Sequence, residues 1–420
     1  MNEKEFLTLI EERQKELYAL LSAMIRIDSQ DFGSTGREAA MADYLVQEIE
    51  ALGLSADRYS PMEIPGFTEL PDYMEGRNLE NRPNVSLKIE GSEGEEGVHL
   101  MAHSDTVPVG NLADWERNPF SGEIADGRVY GRGACDDKYG IATVLYILRL
   151  LRDAGITPKR DITFTAYSDE EKGGSHGAMA GVLRYPHRRI LNLDCKNFEI
   201  WSCAAGGSNI VLHFAMDEPQ DSALAVTSLL PTVLAETEKF GERRRREMCE
   251  NPNYEGTTIG EGAMRYMEVK CANESADLHA GYVWFQYYTD KSTEAIDAEM
   301  AEMVDALNAR LAPHGAHVTG WERNCRSFRY GAVPKDAATI RELQVAAKRA
   351  TGREVKPVGA CLSDLSVILY YGSPEAISFG IGRDFNAIGG AHQPNEFIEC
   401  EALLEFTKIV AAYIFDTAIS

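Results

Sequence analysis

Residues 161–170 read DITFTAYSDE, and this stretch decides the fold because a run of strand-forming residues ends in consecutive acids. Two similar runs, VHLMAHSD at 98–105 and RILNLD at 189–194, also end in an aspartate. Residues 139–153 place apolar side chains at helical spacing. Strands that alternate with helices predict an α/β fold with a mostly parallel sheet that is covered on both faces.

The sequence pattern changes near residue 205. Residues 205–324 combine strand patterns, long helical segments and Gly-rich turns, which predicts a separate α+β domain. The segments 1–204 and 325–420 then form one discontinuous domain around this insertion. At the N-terminus, residues 3–26 predict a single amphipathic helix.

Composition excludes several classes of protein. The chain has 42 Lys and Arg against 66 Asp and Glu, and the resulting net charge of −24 repels nucleic acid. The N-terminal MNEKEFLTLIEERQKEL lacks the apolar run of a signal peptide, and no stretch of about 18 uncharged apolar residues predicts a membrane span. Eight cysteines without a CxxC pair indicate free thiols, so we expect a cytoplasmic protein without nucleic-acid or membrane partners.

The side chains that could carry chemistry share one kind of position, at the ends of strands and in the loops that follow them. They are His103, Asp105, Asp136, Asp137, Glu170, Glu171, Asp194 and His392. Taken singly, each has an ordinary explanation as a core histidine, a helix N-cap or a solvated acidic loop. Together, two histidines and several carboxylates at one sheet edge suit a pair of zinc ions, because zinc accepts imidazole nitrogen and carboxylate oxygen.

Five motifs in a fixed order make this interpretation more specific. They are HSDTVP (103–108), GRGACDDKYG (131–140), SDEEKGG (168–174), LD (193–194) and AHQPNE (391–396). The set resembles the co-catalytic zinc metallopeptidase family of aminoacylase, carboxypeptidase G, acetylornithine deacetylase, succinyl-diaminopimelate desuccinylase and several dipeptidases. The resemblance implies a three-layer zinc-exopeptidase-like catalytic domain at 1–204 and 325–420, with a lid and dimerisation domain at 205–324.

The resemblance also implies five metal ligands. Asp136 would bridge two Zn²⁺ ions, for which Co²⁺ or Mn²⁺ are possible substitutes. His103 and Asp194 would complete the site of one ion, and Glu171 and His392 the site of the other.

Three further residues receive roles from the same resemblance. Glu170 would act as the general base toward a metal-bridging water that attacks an amide carbonyl. Asp105 would orient His103, because a ligating imidazole usually donates its other N–H to an acceptor. Asp137 would shape the turn behind Asp136, where the resemblance implies a cis peptide bond.

The implied function is a dizinc metallohydrolase that cleaves the amide bond of a short peptide or an N-acyl amino acid, as a di- or carboxypeptidase or an amidohydrolase. The alternatives are a non-catalytic metal-binding relative and an N-deacetylase or desuccinylase of amino-acid biosynthesis. Aspartate rather than glutamate at position 194 resembles the peptidase and aminoacylase branches more than the desuccinylase branch. A thiol hydrolase is disfavoured, because no cysteine shares a motif with a histidine.

The inserted domain departs from the family pattern. The stretch FAMDEPQDSA (214–223) lacks the histidine that the family often places there, so His213 and His279 are alternative lid histidines, and Asn273 is a candidate substrate contact. Ser363 and Asp364 lie in a loop that resembles a substrate-side loop of the family, and a polar loop with a helix cap is an equal alternative. Three arginines are either candidate partners of a substrate carboxylate or ordinary charges at a domain joint: Arg323, Arg326 and Arg329. A homodimer formed through this domain is the expected assembly.

Overall fold

The computed structural model describes residues 1–272 and 278–420, so Asn273 lies outside the described residues. The helices are α1 Glu3–Glu12, α2 Gln14–Ile25, α3 Ala39–Ala51, α4 Lys138–Asp153, α5 His176–Arg184, α6 Leu224–Thr227, α7 Leu230–Glu250, α8 Thr293–Leu311, α9 Ala338–Thr351, α10 Leu365–Val367 and α11 Cys400–Ile414. The strands are β1 Asp57–Tyr59, β2 Asn84–Ile89, β3 Glu95–His103, β4 Ile124–Ala125, β5 Arg128–Tyr130, β6 Arg160–Tyr167, β7 Ile190–Asn192, β8 Ile200–Ala204, β9 Gly206–Met216, β10 Met264–Cys271, β11 Ala280–Thr289, β12 Ala316–Arg323, β13 Gly331–Ala332, β14 Pro357–Ala360, β15 Ile377–Phe379 and β16 Phe397–Glu399. Within these described ranges, no helix is both long and apolar enough to cross a membrane.

The larger sheet has nine strands in the order β1-β2-β6-β3-β7-β15-β8-β13, with β14 beside β8. Its centre is parallel, because β3 pairs in parallel with β6 and β7, and β15 pairs in parallel with β7. Antiparallel pairs flank this centre, where β2 meets β1 and β6 and where β15 meets β8. The predicted α/β class with a mainly parallel central sheet is confirmed.

Alternation along β3 shows how the sheet is covered. Leu100 and Ala102 belong to the main hydrophobic core with α4, and a Cβ atom on Gly140 of α4 would lie 3.0 Å from the Ala102 Cβ. Met101 faces the other side, where a Cβ on Gly181 of α5 would lie 3.1 Å from its methyl carbon. Because successive strand side chains point to opposite faces, the sheet has a helical layer on each side.

Two compact units divide the chain. The first comprises Met1–Ser202, Ala332–Val358 and Val367–Ser420, and the second comprises Cys203–Gly331 and Gly359–Ser366. The second unit contains a four-stranded antiparallel sheet in the order β10-β11-β9-β12, whose apolar core includes residues of α7 and α8. The predicted domain boundaries at 204/205 and 324/325, and the lid and dimerisation role of 205–324, stay predictions.

Two predicted helices are each divided in the structure. The helix expected at 3–26 breaks at Arg13, whose backbone has φ −105° and ψ 14° and whose guanidinium donates to Glu16 and Asp153, each at 2.7 Å. One of the long helical segments predicted within 205–324 is α6 followed by α7 in the structure, and Pro231 occupies the first turn of α7. Proline is tolerated there but disfavours an uninterrupted helix. Apolar spacing persists through such breaks and does not reveal them.

Candidate metal centre

The predicted ligands lie at the carboxyl edge of the parallel strands. His103 is the last residue of β3, and Glu171 lies just beyond the end of β6, the parallel neighbour of β3. Asp136 lies in the turn that precedes α4, and His392 lies in the loop that precedes β16. Ligands commonly bind at this edge of α/β sheets, since the loops that follow parallel strands converge there.

Donor atoms of four predicted ligands lie close together. Single donor atoms of His103, Asp136 and Glu171 all lie within 4.8 Å of one another. Asp136 Oδ1 lies 3.0 Å from His103 Nε2, and Asp136 Oδ2 lies 3.2 Å from His392 Nε2. Glu171 Oε2 lies 2.7 Å from the same His392 nitrogen. Asp136 therefore presents one oxygen to each histidine, as a carboxylate between two cations would.

The environment of His103 calls for a cation. Its side chain is buried, and Nδ1 lies 3.0 Å from the Asp105 carbonyl oxygen, which can only accept a hydrogen bond. When Nδ1 donates to that carbonyl, the Nε2 atom of a neutral ring carries no proton and can only accept. It faces an oxygen of the ionised Asp136 carboxylate, which can also only accept. A proton or a metal ion must separate two such acceptors, and imidazole nitrogen with carboxylate oxygen is a donor set that fits zinc.

The pKa values describe the same electrostatic balance. Burial opposes charge on His103, but Asp105 and Asp136 raise its pKa well above the ordinary value. Loss of solvent also disfavours charge on His392, yet Glu171 and Asp136 raise its pKa to about 10. Burial opposes ionisation of Asp136, but the two histidines lower the pKa of this carboxyl. The surroundings of both histidines thus favour a positive charge, which a bound metal ion would also supply.

Main-chain hydrogen bonds orient the acidic turn that follows β6. The N–H groups of Glu170 and Glu171 both donate to Asp105 Oδ2, each at 3.0 Å. Glu171 Oε1 accepts the Val107 N–H at 3.0 Å, which leaves Oε2 for His392. The Asp105 carboxylate thus holds this turn, and its Oδ1 lies 3.7 Å from His103 Nδ1. The predicted roles of Asp105 and Glu170 in catalysis stay predictions.

Asp137 and Asp194 are the remaining acids among the predicted site residues. The Asp136–Asp137 peptide bond is cis, as the resemblance implies. Burial raises the pKa of Asp137 well above its ordinary value, and the charge of Asp194 adds to that rise. Asp194 lies just beyond the end of β7 and is outside the three-residue donor group. Its role as a ligand stays a prediction.

A buried ion pair joins two of the ligand-bearing loops, and sequence reasoning assigned it no role. Arg132 Nη1 lies 2.5 Å from Glu396 Oε2, with side chains 2% and 0% exposed. Glu396 Oε1 accepts the Cys135 N–H at 2.9 Å, and Arg132 donates to the His392 carbonyl at 3.4 Å. The pair therefore ties the loop of His392 to the turn of Asp136. The only sequence signal for this ion pair is that Arg132 and Glu396 carry opposite charges and each lies in or beside a Gly-containing motif.

Other candidates have contacts within the second unit. Arg326 donates to Ser366 Oγ at 2.9 Å, and the Ser363 hydroxyl accepts the Leu365 N–H at 3.3 Å. His213 Nε2 lies 3.5 Å from Glu322 Oε1. These contacts are structural, so substrate roles for the residues remain hypotheses, as does the choice between His213 and His279.

Buried thiols next to two predicted ligands do not suit nucleophilic catalysis. Burial raises the pKa of the Cys135 and Cys195 thiols well above their ordinary value. The reactive species would be the thiolate, which such an environment disfavours.

Comparison with known proteins identifies the family. Residues 99–416 match the model of Peptidase family M20/M25/M40. An uncharacterized metallohydrolase of Methanocaldococcus jannaschii is 23% identical over 94% of this chain and 98% of its own length. A succinyl-diaminopimelate desuccinylase of a Bradyrhizobium species is 46% identical over 20% of this chain and 23% of its own. A Beta-Ala-Xaa dipeptidase of Lactobacillus delbrueckii is 38% identical over 23% of this chain and 20% of its own.

The solved structure of human carnosine dipeptidase 1 shares the fold, with a TM-score of 0.72 at 13% identity over 99% of both chains. The family match spans most of the sequence and includes all five motifs, and a group of side chains that could hold a metal ion lies within it. The chain belongs to Peptidase family M20/M25/M40, a family of metallohydrolases.

Proposed function

We propose that this protein is a dizinc amidohydrolase that cleaves the amide bond of a short peptide or an N-acyl amino acid. One observation carries the proposal. Asp136 directs its two oxygens at two different histidines, and Glu171 contacts one of these histidines. This is the arrangement expected of a carboxylate that is shared by two metal ions.

Five residues would hold the two ions: His103 and Asp194 on one side, Glu171 and His392 on the other, and Asp136 between them. When bound, the metals would supply Lewis acidity toward the substrate carbonyl and would lower the pKa of a water molecule. The residues present fit this role, since all five offer nitrogen or oxygen donors of the type that zinc prefers.

Glu170 is the proposed general base. Its main-chain N–H donates to Asp105, and its neighbour Glu171 belongs to the donor group, so Glu170 lies in a turn at the edge of the proposed metal centre. Glu170 would accept a proton from the attacking water and later donate it to the leaving amine.

The test compares wild type with Glu170→Gln, which keeps the size of the side chain and removes its basicity. Both apo-proteins are loaded with zinc and assayed on a panel of dipeptides and N-acyl amino acids. We expect two metals per chain in both proteins and at least a hundredfold lower kcat in the variant. Glu50→Gln, on the exposed surface of α3, is the matched control. Fewer than one metal per chain, or full activity of Glu170→Gln, contradicts the mechanism.

The same panel separates the substrate classes. Aspartate at 194 favours a peptidase or aminoacylase, and one relative is named a Beta-Ala-Xaa dipeptidase. A desuccinylase is the second candidate, because another relative carries that name. A higher kcat/KM for dipeptides than for N-succinyl and N-acetyl amino acids supports the peptidase, and the reverse order supports the deacylase. Metal binding without turnover of any substrate supports the non-catalytic alternative.

A homodimer through residues 205–324 remains part of the proposal. β10 is an edge strand of the four-stranded sheet, and it exposes Tyr266, Met267 and Val269. Exposed strand edges of this kind are templates for pairing with another chain. Sedimentation equilibrium is the test, and a monomer at micromolar concentration contradicts the homodimer.

Eight free cysteines support the cytoplasm as the proposed compartment.

A further inference from the structure

Asp169 lies directly before the acidic pair Glu170 and Glu171, and it is buried. Its backbone has φ 65°, a left-handed conformation that aspartate adopts far less often than glycine. A residue of this kind persists only where the surroundings determine its conformation. Nothing in the proposed mechanism uses its carboxylate.

Three donors converge on the Asp169 carboxylate. Its Oδ1 lies 2.5 Å from Arg82 Nη1 and 2.7 Å from Arg77 Nη1. Its Oδ2 lies 2.5 Å from His176 Nδ1. Arg82 and His176 are fully buried, and Arg77 is nearly so, with 4% of its side chain exposed. Charge-assisted hydrogen bonds at such distances are the stronger kind, and here water does not compete with them.

The direction of the His176 hydrogen bond follows from its second partner. His176 Nε2 lies 3.1 Å from the Met74 N–H, which can only donate, so this ring nitrogen accepts. A neutral ring then carries its proton on Nδ1 and donates it to Asp169. The ring is also packed among Phe67 and Tyr73, at centroid distances of 5.8 and 5.0 Å. His176 is therefore a fixed donor.

The arginines are held in turn by the N-terminal part of the chain and by the loop that carries Asp169. Arg82 Nε lies 2.6 Å from Glu38 Oε1, and its Nη2 lies 3.0 Å from Asp31 Oδ2. Arg77 also donates to the carbonyls of Gly33 and Lys172. Asp169 is consequently anchored to the N-terminal part of the chain and to its own loop.

The loop packs closely against the Asp169 side chain. A Cβ atom on Gly174 would lie 1.9 Å from Asp169 Oδ2, so only glycine fits there. The Ser175 N–H donates to the Asp169 carbonyl at 2.7 Å. On the other side, the Asp105 carboxylate holds the N–H groups of Glu170 and Glu171. The acidic pair is thus fixed between two buried carboxylates.

We propose that Asp169 is a positioning residue. Held by Arg77, Arg82 and His176, it sets the backbone direction from which Glu171 reaches the metal and Glu170 reaches the substrate. This inference rests on the proposed function for Glu170, whereas the part that concerns Glu171 requires only metal binding.

Asp169→Asn is the first test, because it keeps the shape but places an amide N–H or a weaker acceptor against three donors. The readouts are the Co²⁺ affinity and visible absorption spectrum of each protein, followed by kcat and KM on the best substrate. We expect one of the two metals to bind about 10- to 100-fold more weakly, with an altered Co²⁺ spectrum. We also expect kcat to fall by at least about tenfold while KM changes by less than about threefold.

Two variants of His176 test the same contact without removing the carboxylate. Asparagine places an amide N–H near the position of Nδ1 and can still donate to Asp169, whereas glutamine places its amide near Nε2 and cannot. We expect His176→Gln to lose about tenfold in the affinity of the weaker metal and His176→Asn to recover most of that loss. His99→Asn is the control, since His99 is another buried histidine, with Thr165 as its hydrogen-bond partner. It is expected to leave metal affinity within about twofold.

The outcomes separate the two proposals. Unchanged Co²⁺ affinity, spectrum and kcat in folded Asp169→Asn overturn the positioning role. If circular dichroism shows that Asp169→Asn does not fold, the comparison of His176→Gln with His176→Asn is the test. Equal metal affinities of these two variants overturn the positioning role of Asp169. If wild type binds two metals but turns over no substrate, the proposed function fails, while the Co²⁺ data still test the position of Glu171.

Discussion

Replacing Arg132 with methionine removes one half of the buried pair that joins the loops of Asp136 and His392. Its partner Glu396 has no exposed surface, and burial raises the pKa of that carboxyl even with Arg132 beside it. Breaking a buried pair from one side costs about 3–5 kcal/mol, because the remaining charge stays out of water. Glu396 also accepts the Cys135 N–H, so it cannot simply turn away without leaving that donor unpaired.

The effect is large enough to measure by urea unfolding. With a cost of about 3 kcal/mol and an m-value of about 3 kcal/mol per molar, the midpoint of Arg132→Met falls by about 1 M. The unpaired carboxyl has a higher pKa in the folded than in the unfolded variant. The folded variant then binds more protons than the unfolded chain, so its loss of stability grows as pH rises above the ordinary titration range of glutamate and shrinks at lower pH.

Two controls decide whether the buried charge is the cause. Adding Glu396→Gln to Arg132→Met removes the charge but keeps an oxygen for the Cys135 N–H, so the double variant is expected to be more stable than the single one. Arg188→Met breaks a surface pair with Glu375, and its midpoint should stay within about 0.3 M of wild type. The reasoning is refuted if Arg132→Met also stays within that range, or if the double variant is no more stable than the single one.

Three further predictions concern packing, pH and metal. Gly140→Ala would place its Cβ 2.9 Å from the Leu193 Cβ, so we expect a loss of about 1–3 kcal/mol in urea unfolding, whereas Gly262→Ala, whose nearest neighbour lies 3.5 Å away, should be nearly neutral. Burial raises the pKa of Glu38 to about 8 against 4.5 for the free carboxyl, so the folded chain holds the extra proton and stability falls as pH rises from about 5 to about 8. Urea midpoints of the metal-free protein at the two ends of this range should converge in Glu38→Gln, and an unchanged difference counts against the assignment. Zinc at about a thousand times its Kd should stabilise wild type by about 4 kcal/mol in thermal unfolding, and an equal gain in His392→Ala would speak against His392 as a ligand.

The parts of the fold that could be predicted from the sequence are those with strong local periodicity. β6, β3 and α4 lie where the apolar patterns place them, because each pattern reflects burial on the faces of the element itself. The short strands β1, β5 and β16 could not be predicted, since two or three residues carry no period and are strands only through their partners. The breaks at Arg13 and Pro231 were missed for a related reason, because apolar spacing continues across them.

The candidate site also has parts that could be predicted from the sequence and parts that could not. His103, Asp136, Glu171 and His392 were named from motifs, and the structure brings them together. Their supports were not named, since Arg132 and Glu396 are 264 residues apart and neither sequence neighbourhood indicates the other. Asp169 was quoted in a motif, but its role depends on the direction of a side chain that a motif does not specify.

The sequence by itself determined the fold class, the family and the candidate metal ligands, because these depend on residue types and on the order of motifs along the chain. Only the tertiary structure decided which oxygen of Asp136 faces which histidine, that the Asp105 carboxylate holds the acidic turn, and that Asp169 is clamped by two arginines and a histidine. These are contacts between residues distant in sequence, at distances of about 3 Å, and packing alone determines them.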